Sequence, residues 1–290
     1  MSLILPDGKP GRSLLITGAA GFVGQEVARH AAAAGFGPVW GTWHQSQPIA
    51  VDGVSCPQLD IINEGAVNKL LHELRPDAVI HAAYRKDGPN AEAITTDGSG
   101  HVARAAAAIN ARLVHISTDM VLDGENPPYD ESALPAPVHG YGRAKAAAEA
   151  LVVASAPSAA IVRTSLVCRL DPPDPATKWI TNSLRNGQPI TLYTDEIRCP
   201  VWLTDLSAAL LELAAGDFSG VINVSGPQAL NRYEMGMRLA DCLGLSTQHI
   251  TPGLSSQSIV RRPRNLTLDT SLARRLLQTR LRSFDEGLAA

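Results

Sequence analysis

From Leu14 onward, short unbroken apolar runs alternate with longer stretches in which apolar residues recur at helical spacing. Leu14 to Thr17 is a run closed by glycine. Val23, Val27 and the alanines up to Ala34 then repeat with a helical period, so the opening unit reads as strand, tight turn and helix. Val39 to Trp43 and Val54 to Leu59 predict two further strands and Glu64 to Leu74 a helix. Ala78 to His81, after the breaker pair Pro76-Asp77, predicts a fourth strand. Gly100 to Asn110 predicts a helix, Leu113 to Ser117 a buried strand, Arg143 to Ser155 an alanine-rich helix and Ala160 to Thr164 another strand. Apolar strands separated by helices imply a parallel sheet covered on both faces. The fold class is therefore α/β, a Rossmann-type doubly wound parallel sheet.

Beyond Thr164 the alternation loosens. Asp171-Pro172-Pro173-Asp174-Pro175 predicts a rigid loop, because proline fixes φ and offers no amide to a ladder or a helix interior. Helices around Trp179 to Asn186, Leu203 to Ala215 and Arg232 to Leu243, with strands Ile190 to Tyr193 and Val221 to Val224, predict a smaller C-terminal α/β lobe. The division expected is a nucleotide-binding domain over 1–165, completed by parts of 195–224, and an interleaved substrate lobe over 166–290.

A chain of 290 residues can bury one core with a smaller lobe attached. Its 45% hydrophobic and 18% charged residues exclude a disordered protein. A formal net charge of -3 supplies no global positive field for a nucleic-acid backbone or an anionic membrane. Cys56, Cys168, Cys199 and Cys242 show no CxxC spacing, which argues against a zinc site and a disulfide framework and for a reducing compartment. The apolar run near Met1 is too short for a signal peptide, and no later run has membrane-spanning length. A cytoplasmic protein without nucleic acid, membrane or metal is expected, with a homodimer left open.

Thr17-Gly18-Ala19-Ala20-Gly21-Phe22-Val23-Gly24 spaces its glycines three residues apart between a strand and a helix. Gly18, Gly21 and Gly24 permit a tight turn, close approach to a pyrophosphate and tight helix packing. The amides of Phe22 and Val23 open the helix whose N-terminus attracts the phosphates. The second strand ends in Gly41-Thr42-Trp43-His44, without the carboxylate that an NAD-selective site places on the ribose 2'-hydroxyl. NADP(H) is thus favoured over NAD(H). His44 is either an added donor or a solvated loop residue. Asp60, next to Ile61, is either an acceptor for the adenine amino group or a polar strand-end residue. Ala82, Ala83 and Tyr84 stand at the carboxyl edge of the fourth strand, on the cofactor side.

Ser117-Thr118-Asp119 closes an apolar strand, and Tyr141-Gly142-Arg143-Ala144-Lys145 opens a helix, placing Tyr141 and Lys145 on one face. A lysine ammonium beside a phenol is expected to lower the tyrosine's pKa toward the working range of a general acid/base. Thr118 is placed to bond the same substrate oxygen, while a bound nicotinamide exchanges hydride with the carbon. Lys86, with Arg85, follows the fourth strand and either reaches a phosphate or lies in a polar loop. Arg198 and Arg262, the latter beside Arg261 and Arg264, suit a diphosphate clamp or a solvated basic face. His81 and His115 read as hydrogen-bonded core histidines, and Asp195-Glu196 as a turn.

These residues are similar to the extended short-chain dehydrogenase/reductase superfamily, and specifically to the dTDP-4-dehydrorhamnose reductase family of sugar-nucleotide-binding proteins. The likeness runs through Thr17 to Gly24, Val79 to Ala83, His115 to Asp119 with Val121 to Gly124, Pro128-Tyr129, Tyr141 to Lys145 and Val162 to Ser165. It continues through Cys199-Pro200, Asp205-Leu206, Arg262-Pro263 and Leu268-Asp269. It implies Thr118, Tyr141 and Lys145 as catalytic trio, Tyr141 and Lys145 also touching the cofactor. It further implies a C-terminal lobe that binds a nucleotide-sugar, with Asp119, Thr164 and Ser165 on the substrate side, and reduction of a 4-keto-6-deoxyhexose. Thr95 stands where the family often has Asn, and Leu166 where it has an aromatic residue. Regulatory subunits that bind NADP and a partner enzyme also occur among the family's distant members, so a scaffold role is the alternative. A dehydratase or epimerase ranks last, because Met120 rather than Glu follows Asp119.

Overall fold

Leu14, Leu15 and Ile16 have no solvent exposure, as a strand with helices on both sides requires. The computed structural model describes residues 11–258 and 261–290; the reading made for the first ten residues lies outside them. The first part of the chain runs β1 (Leu14–Thr17), α1 (Phe22–Ala33), β2 (Val39–Gly41), β3 (Val54–Ser55), α2 (Glu64–Leu74) and β4 (Ala78–His81). It continues with α3 (Ala91–Ala108), β5 (Arg112–Thr118), α4 (Gly140–Ser155) and β6 (Ala160–Thr164). After it come β7 (Val167–Cys168), α5 (Pro175–Arg185), β8 (Ile190–Tyr193), β9 (Ile197–Arg198), β10 (Val201–Trp202) and α6 (Leu203–Ala215). The last elements are β11 (Gly220–Asn223), β12 (Leu230–Asn231), α7 (Arg232–Cys242), β13 (Ile250–Gly253), α8 (Ser271–Leu276) and α9 (Phe284–Leu288).

The α/β class is observed: seven parallel strands form one sheet in the order β11-β6-β5-β4-β1-β2-β3. Alternate residues of β1 enter two different cores. Leu14 and Ile16 pack with Val27 and Ala31 of α1 and with Leu206 and Leu210 of α6. Leu15 packs with Val67 and Leu71 of α2, Val102 and Ala106 of α3, and Val152 of α4. The chain leaves β1 to one side for β2 and β3 and to the other for β4, so a crevice opens at the carboxyl ends of β1 and β4.

Three expectations need correction. The third helix begins at Ala91, well before Gly100, because its first turns bury polar rather than apolar groups: Thr95 and Ser99 are wholly inside. The second and third strands are shorter than read, since Pro57 has no amide to give and only a bridge from Trp43 to Gln58 continues their pairing. Pro175 does not lie in a loop but at the start of α5, where a missing amide costs nothing; Asp174 caps that helix by accepting from the Ala176 and Thr177 amides.

Ile180 and Leu184 of α5, Ile190 and Leu192 of β8, Leu239 of α7 and Ile250 of β13 form a separate small core. Beside it β9 and β12 pair antiparallel, Arg198 opposite Leu230, which brings the start of α7 next to Arg198. No helix among the described residues is long and apolar enough to cross a membrane.

Candidate active site

The turn after β1 is built by close backbone contact. Gly18 has φ +73°, and a Cβ there would lie 2.8 Å from the Ala83 Cα; one on Gly24 would lie 2.3 Å from the Gly18 carbonyl oxygen. Gly21 caps α1 with no side-chain acceptor, leaving amides of the first helical turn open to an anion. A cavity of 300 Å³ lies over this turn, lined by Gly18, Gly21, His44, Asp60, Ile61, Ala82, Ala83 and Tyr84, with Gln45 and Arg85 besides. Phe22, Val23 and Gly24 do not line it. Gly24 is packed beneath the turn, and the Phe22 ring is covered by the Arg169 guanidinium at 4.7 Å. His44 Nε2 stands 3.7 Å from Asp60 Oδ2, while the other Asp60 oxygen accepts from the Ile62 amide.

A second cavity, of 660 Å³, adjoins the first at Tyr84 and Arg85. Thr118 reaches it from the end of β5 and Tyr141 from the first turn of α4. His139 caps α4, its Nδ1 accepting from the Gly142 amide at 3.1 Å. Lys145, one turn on, is buried behind this wall. Its Nζ donates to the Ile116 carbonyl at 2.5 Å, lies 3.5 Å from His115 Nε2 and stands 5.9 Å from the centre of the Tyr84 ring. The Tyr84 and Tyr141 rings are 5.6 Å apart. The lowered phenol expected from the Tyr-x-x-x-Lys spacing is not found. Burial pushes Tyr141 up, Tyr84 and Asp119 add to the shift, and only a hydrogen bond with Thr118 opposes it. The physical reason is that the ammonium is turned toward β5.

The opposite wall is charged. Asp119 is buried, accepts from the Ser165 hydroxyl at 2.6 Å and has Arg198 Nε 3.8 Å away; burial raises its pKa. Glu196, read as part of a turn, is instead buried among three guanidiniums, at 3.4 Å from Arg198, 3.7 Å from Arg232 and 3.2 Å from Arg262. Three cations around one carboxylate leave this wall net positive, and all four side chains line the cavity with Lys86, Asp119 and Ser165. Thr164 does not reach it; its hydroxyl is buried and has no partner among the described residues. Asp195 is occupied by the Ser255 amide and hydroxyl. No group of His, Cys, Asp and Glu able to hold a metal occurs among the described residues.

Sequence reasoning missed His139, Gln45 and Arg232. His139 carried a faint signal, since a polar residue just before a helix start is a capping position. Arg232 carried none, because its place depends on β9 pairing with β12.

The sequence profile of the RmlD substrate binding domain matches residues 12–290. The chain belongs to this family. Within it, the dTDP-4-dehydrorhamnose reductase of Mycolicibacterium smegmatis is 30% identical over 249 residues, covering 82% of this chain and 72% of that protein. Methionine adenosyltransferase 2 subunit beta of Pongo abelii is 28% identical over 286 residues, covering 90% and 81%. Among solved structures, the hypothetical dTDP-4-dehydrorhamnose reductase from Sulfolobus tokodaii superposes with a TM-score of 0.83 at 27% identity, over 95% of this chain and 98% of that one. The family resemblance read from the motifs therefore holds along nearly the whole chain, and the homology supports a reductase-like role. The same turn, strand end and helix start that suggested the family are the ones that line the two cavities.

Proposed function

We propose that the protein is an NADP(H)-dependent reductase of a nucleotide-linked 4-keto-6-deoxy sugar, with the lobe over 166–290 holding the nucleotide. The observation that carries this is a single cavity in which the Thr118 hydroxyl and the Tyr141 phenol face a wall bearing Arg198, Arg232 and Arg262. One side suits a carbonyl oxygen, the other a diphosphate. The glycine turn fits the cofactor, because its contacts exclude a Cβ at Gly18 and Gly24 and its helix amides are open. Gly18, Gly21, Asp60, Ile61, Ala82 and Ala83 would hold the adenosine and pyrophosphate. When bound, the cofactor supplies hydride to the carbonyl carbon.

The chain's own residues do the rest. Thr118 orients the carbonyl oxygen by hydrogen bonding. Tyr141, kept protonated by burial, holds the proton that it donates to the alkoxide as it forms. Lys145, tied to β5 through the Ile116 carbonyl, keeps its positive charge behind the wall that carries Thr118 and Tyr141 rather than on the phenol. Arg198, Arg232 and Arg262 bind the diphosphate and fix the sugar against the phenol.

The test is NADPH oxidation with a nucleotide-linked 4-keto-6-deoxy sugar. Tyr141→Phe is expected to lose about two to four orders of magnitude in kcat with coenzyme affinity unchanged; retained turnover would remove the phenol from the reaction. A second reading, a cofactor-binding regulatory subunit, is favoured by the likeness to methionine adenosyltransferase 2 subunit beta and by the turning of Lys145 away from Tyr141. It predicts coenzyme binding with no turnover of any keto sugar.

A further inference from the structure

Thr95, at a position where the sequence departs from the family's usual Asn, clamps one residue by its backbone. Its hydroxyl accepts from the Arg85 amide at 3.1 Å and donates to the Arg85 carbonyl at 2.9 Å. Thr95 itself is completely buried in α3, so the segment after β4 is fixed to the interior at this point. The side chain of Arg85 then crosses the mouth of the crevice, and its Nη2 donates to Gln45 Oε1 at 2.6 Å, just beyond the end of β2. The residue borders both cavities, and the Gln45 bond puts its tip at the cavity over the glycine turn.

Charge decides what this tip can take. Gln45 is a neutral acceptor, and Arg85 forms no salt bridge among the described residues. A guanidinium has five N–H donors in a planar fork and is matched by a phosphate dianion. Asp60 is the one carboxylate that lines this cavity among the described residues. It has His44 at 3.7 Å on one oxygen and the Ile62 amide on the other, which leaves Arg85 available to an incoming anion. The end of β2 is where the ribose 2'-position of a dinucleotide lies in this class of fold.

From this geometry we infer that Arg85 is the residue that selects NADP(H) over NAD(H), its guanidinium leaving Gln45 to take the 2'-phosphate. The inference rests on the cofactor reading above, not on the reaction. Selection comes from the carboxyl edge of β4 rather than from a basic residue at the end of β2, and Thr95 is the residue that aims it.

The experiment is equilibrium titration of NADPH and NADH, by coenzyme fluorescence, into the full-length wild type, Arg85→Ala and Arg85→Lys. A charge-assisted bond of this kind predicts that Arg85→Ala weakens NADPH by about ten- to a hundred-fold and leaves NADH within about twofold. Arg85→Lys keeps the charge but loses the fork, so it falls between. Equal losses for both coenzymes would put the guanidinium on the diphosphate they share, and unchanged NADPH affinity would remove it from the site; either result overturns the assignment. Because binding is read and not turnover, an inactive wild type that still binds NADPH leaves the test intact and counts only against the reductase. A wild type that binds neither coenzyme overturns the cofactor reading and this inference with it.

Discussion

Lys145 Nζ lies 3.5 Å from His115 Nε2 and donates to the Ile116 carbonyl, so the side chain one turn beyond Tyr141 is tied to β5. An ammonium only donates; Nε2 therefore accepts, and the ring proton of His115 sits on Nδ1, which has no partner among the described residues. His81 stacks on His115 with ring centres 5.3 Å apart. The Ser99 hydroxyl spends its own proton on the Thr95 carbonyl, so it accepts from His81 Nε2–H at 3.0 Å, and Thr17 donates to His81 Nδ1 at 2.7 Å. Burial, with the Lys145 charge beside them, keeps both rings neutral; His81 is pushed down to about 3.

The same burial predicts a pH dependence of stability. Lys145 is lowered from 10.5 to about 8 by desolvation, with Glu149 pulling the other way. Between those values the unfolded chain keeps the proton and the folded chain releases it, so stability rises with pH across the window and is lost as pH falls through about 8. Relative to Lys145→Met, the wild type should gain up to about 3 kcal/mol on going from the lower to the upper limit. Denaturant titrations of the two proteins at a series of pH values read this directly. Parallel curves would mean that the amine titrates as in water.

Glu149 and Arg163 form a second buried device under the same strand. Arg163 donates from Nε to Oε1 at 3.1 Å and from Nη2 to Oε2 at 2.8 Å, and Ser117 donates to the same carboxylate. Both side chains are almost fully enclosed, at 3% and 6% exposure, so removing one charge strands the other. Glu149→Gln should cost about 3–5 kcal/mol, whereas Glu149→Leu combined with Arg163→Met should cost clearly less than the two single losses together. Additive losses in chemical denaturation would deny the coupling.

How far the sequence could be read follows from which groups face inward. β1, α2, β4 and α6 were legible to the residue because apolar side chains make up most of their buried positions and their periods are unbroken. The first turns of α3 were not, since Thr95 and Ser99 look like surface residues and are buried hydrogen-bonding groups. Thr118 and Tyr141 could be placed in one cleft because each sits at a fixed offset from a strand end or helix start. The direction of Lys145 could not, because spacing gives a shared helix face but not whether the chain reaches forward to the phenol or down to β5. Glu196 with its three arginines was illegible for a similar reason: the cluster is assembled by three separate segments meeting beside β9.

Glycine substitutions separate the architecture of the turn from its function. A Cβ at Gly24 would meet the Gly18 carbonyl oxygen at 2.3 Å and carbon at 2.8 Å, backbone against backbone, so neither side can yield without opening the turn. Gly24→Ala is expected to cost about 1–3 kcal/mol and also to weaken coenzyme binding, because the displaced Gly18 lines the cavity. Gly35 provides the control. Its φ is +82° and nothing lies within 4 Å of a Cβ there, so Gly35→Ala carries only the left-handed backbone penalty, about 1–2 kcal/mol. Thermal unfolding should then show comparable losses for the two variants while NADPH titration distinguishes them. If Gly24→Ala binds coenzyme as tightly as Gly35→Ala, the turn does not set the phosphate seat, and the anion site must lie on the arginine wall instead.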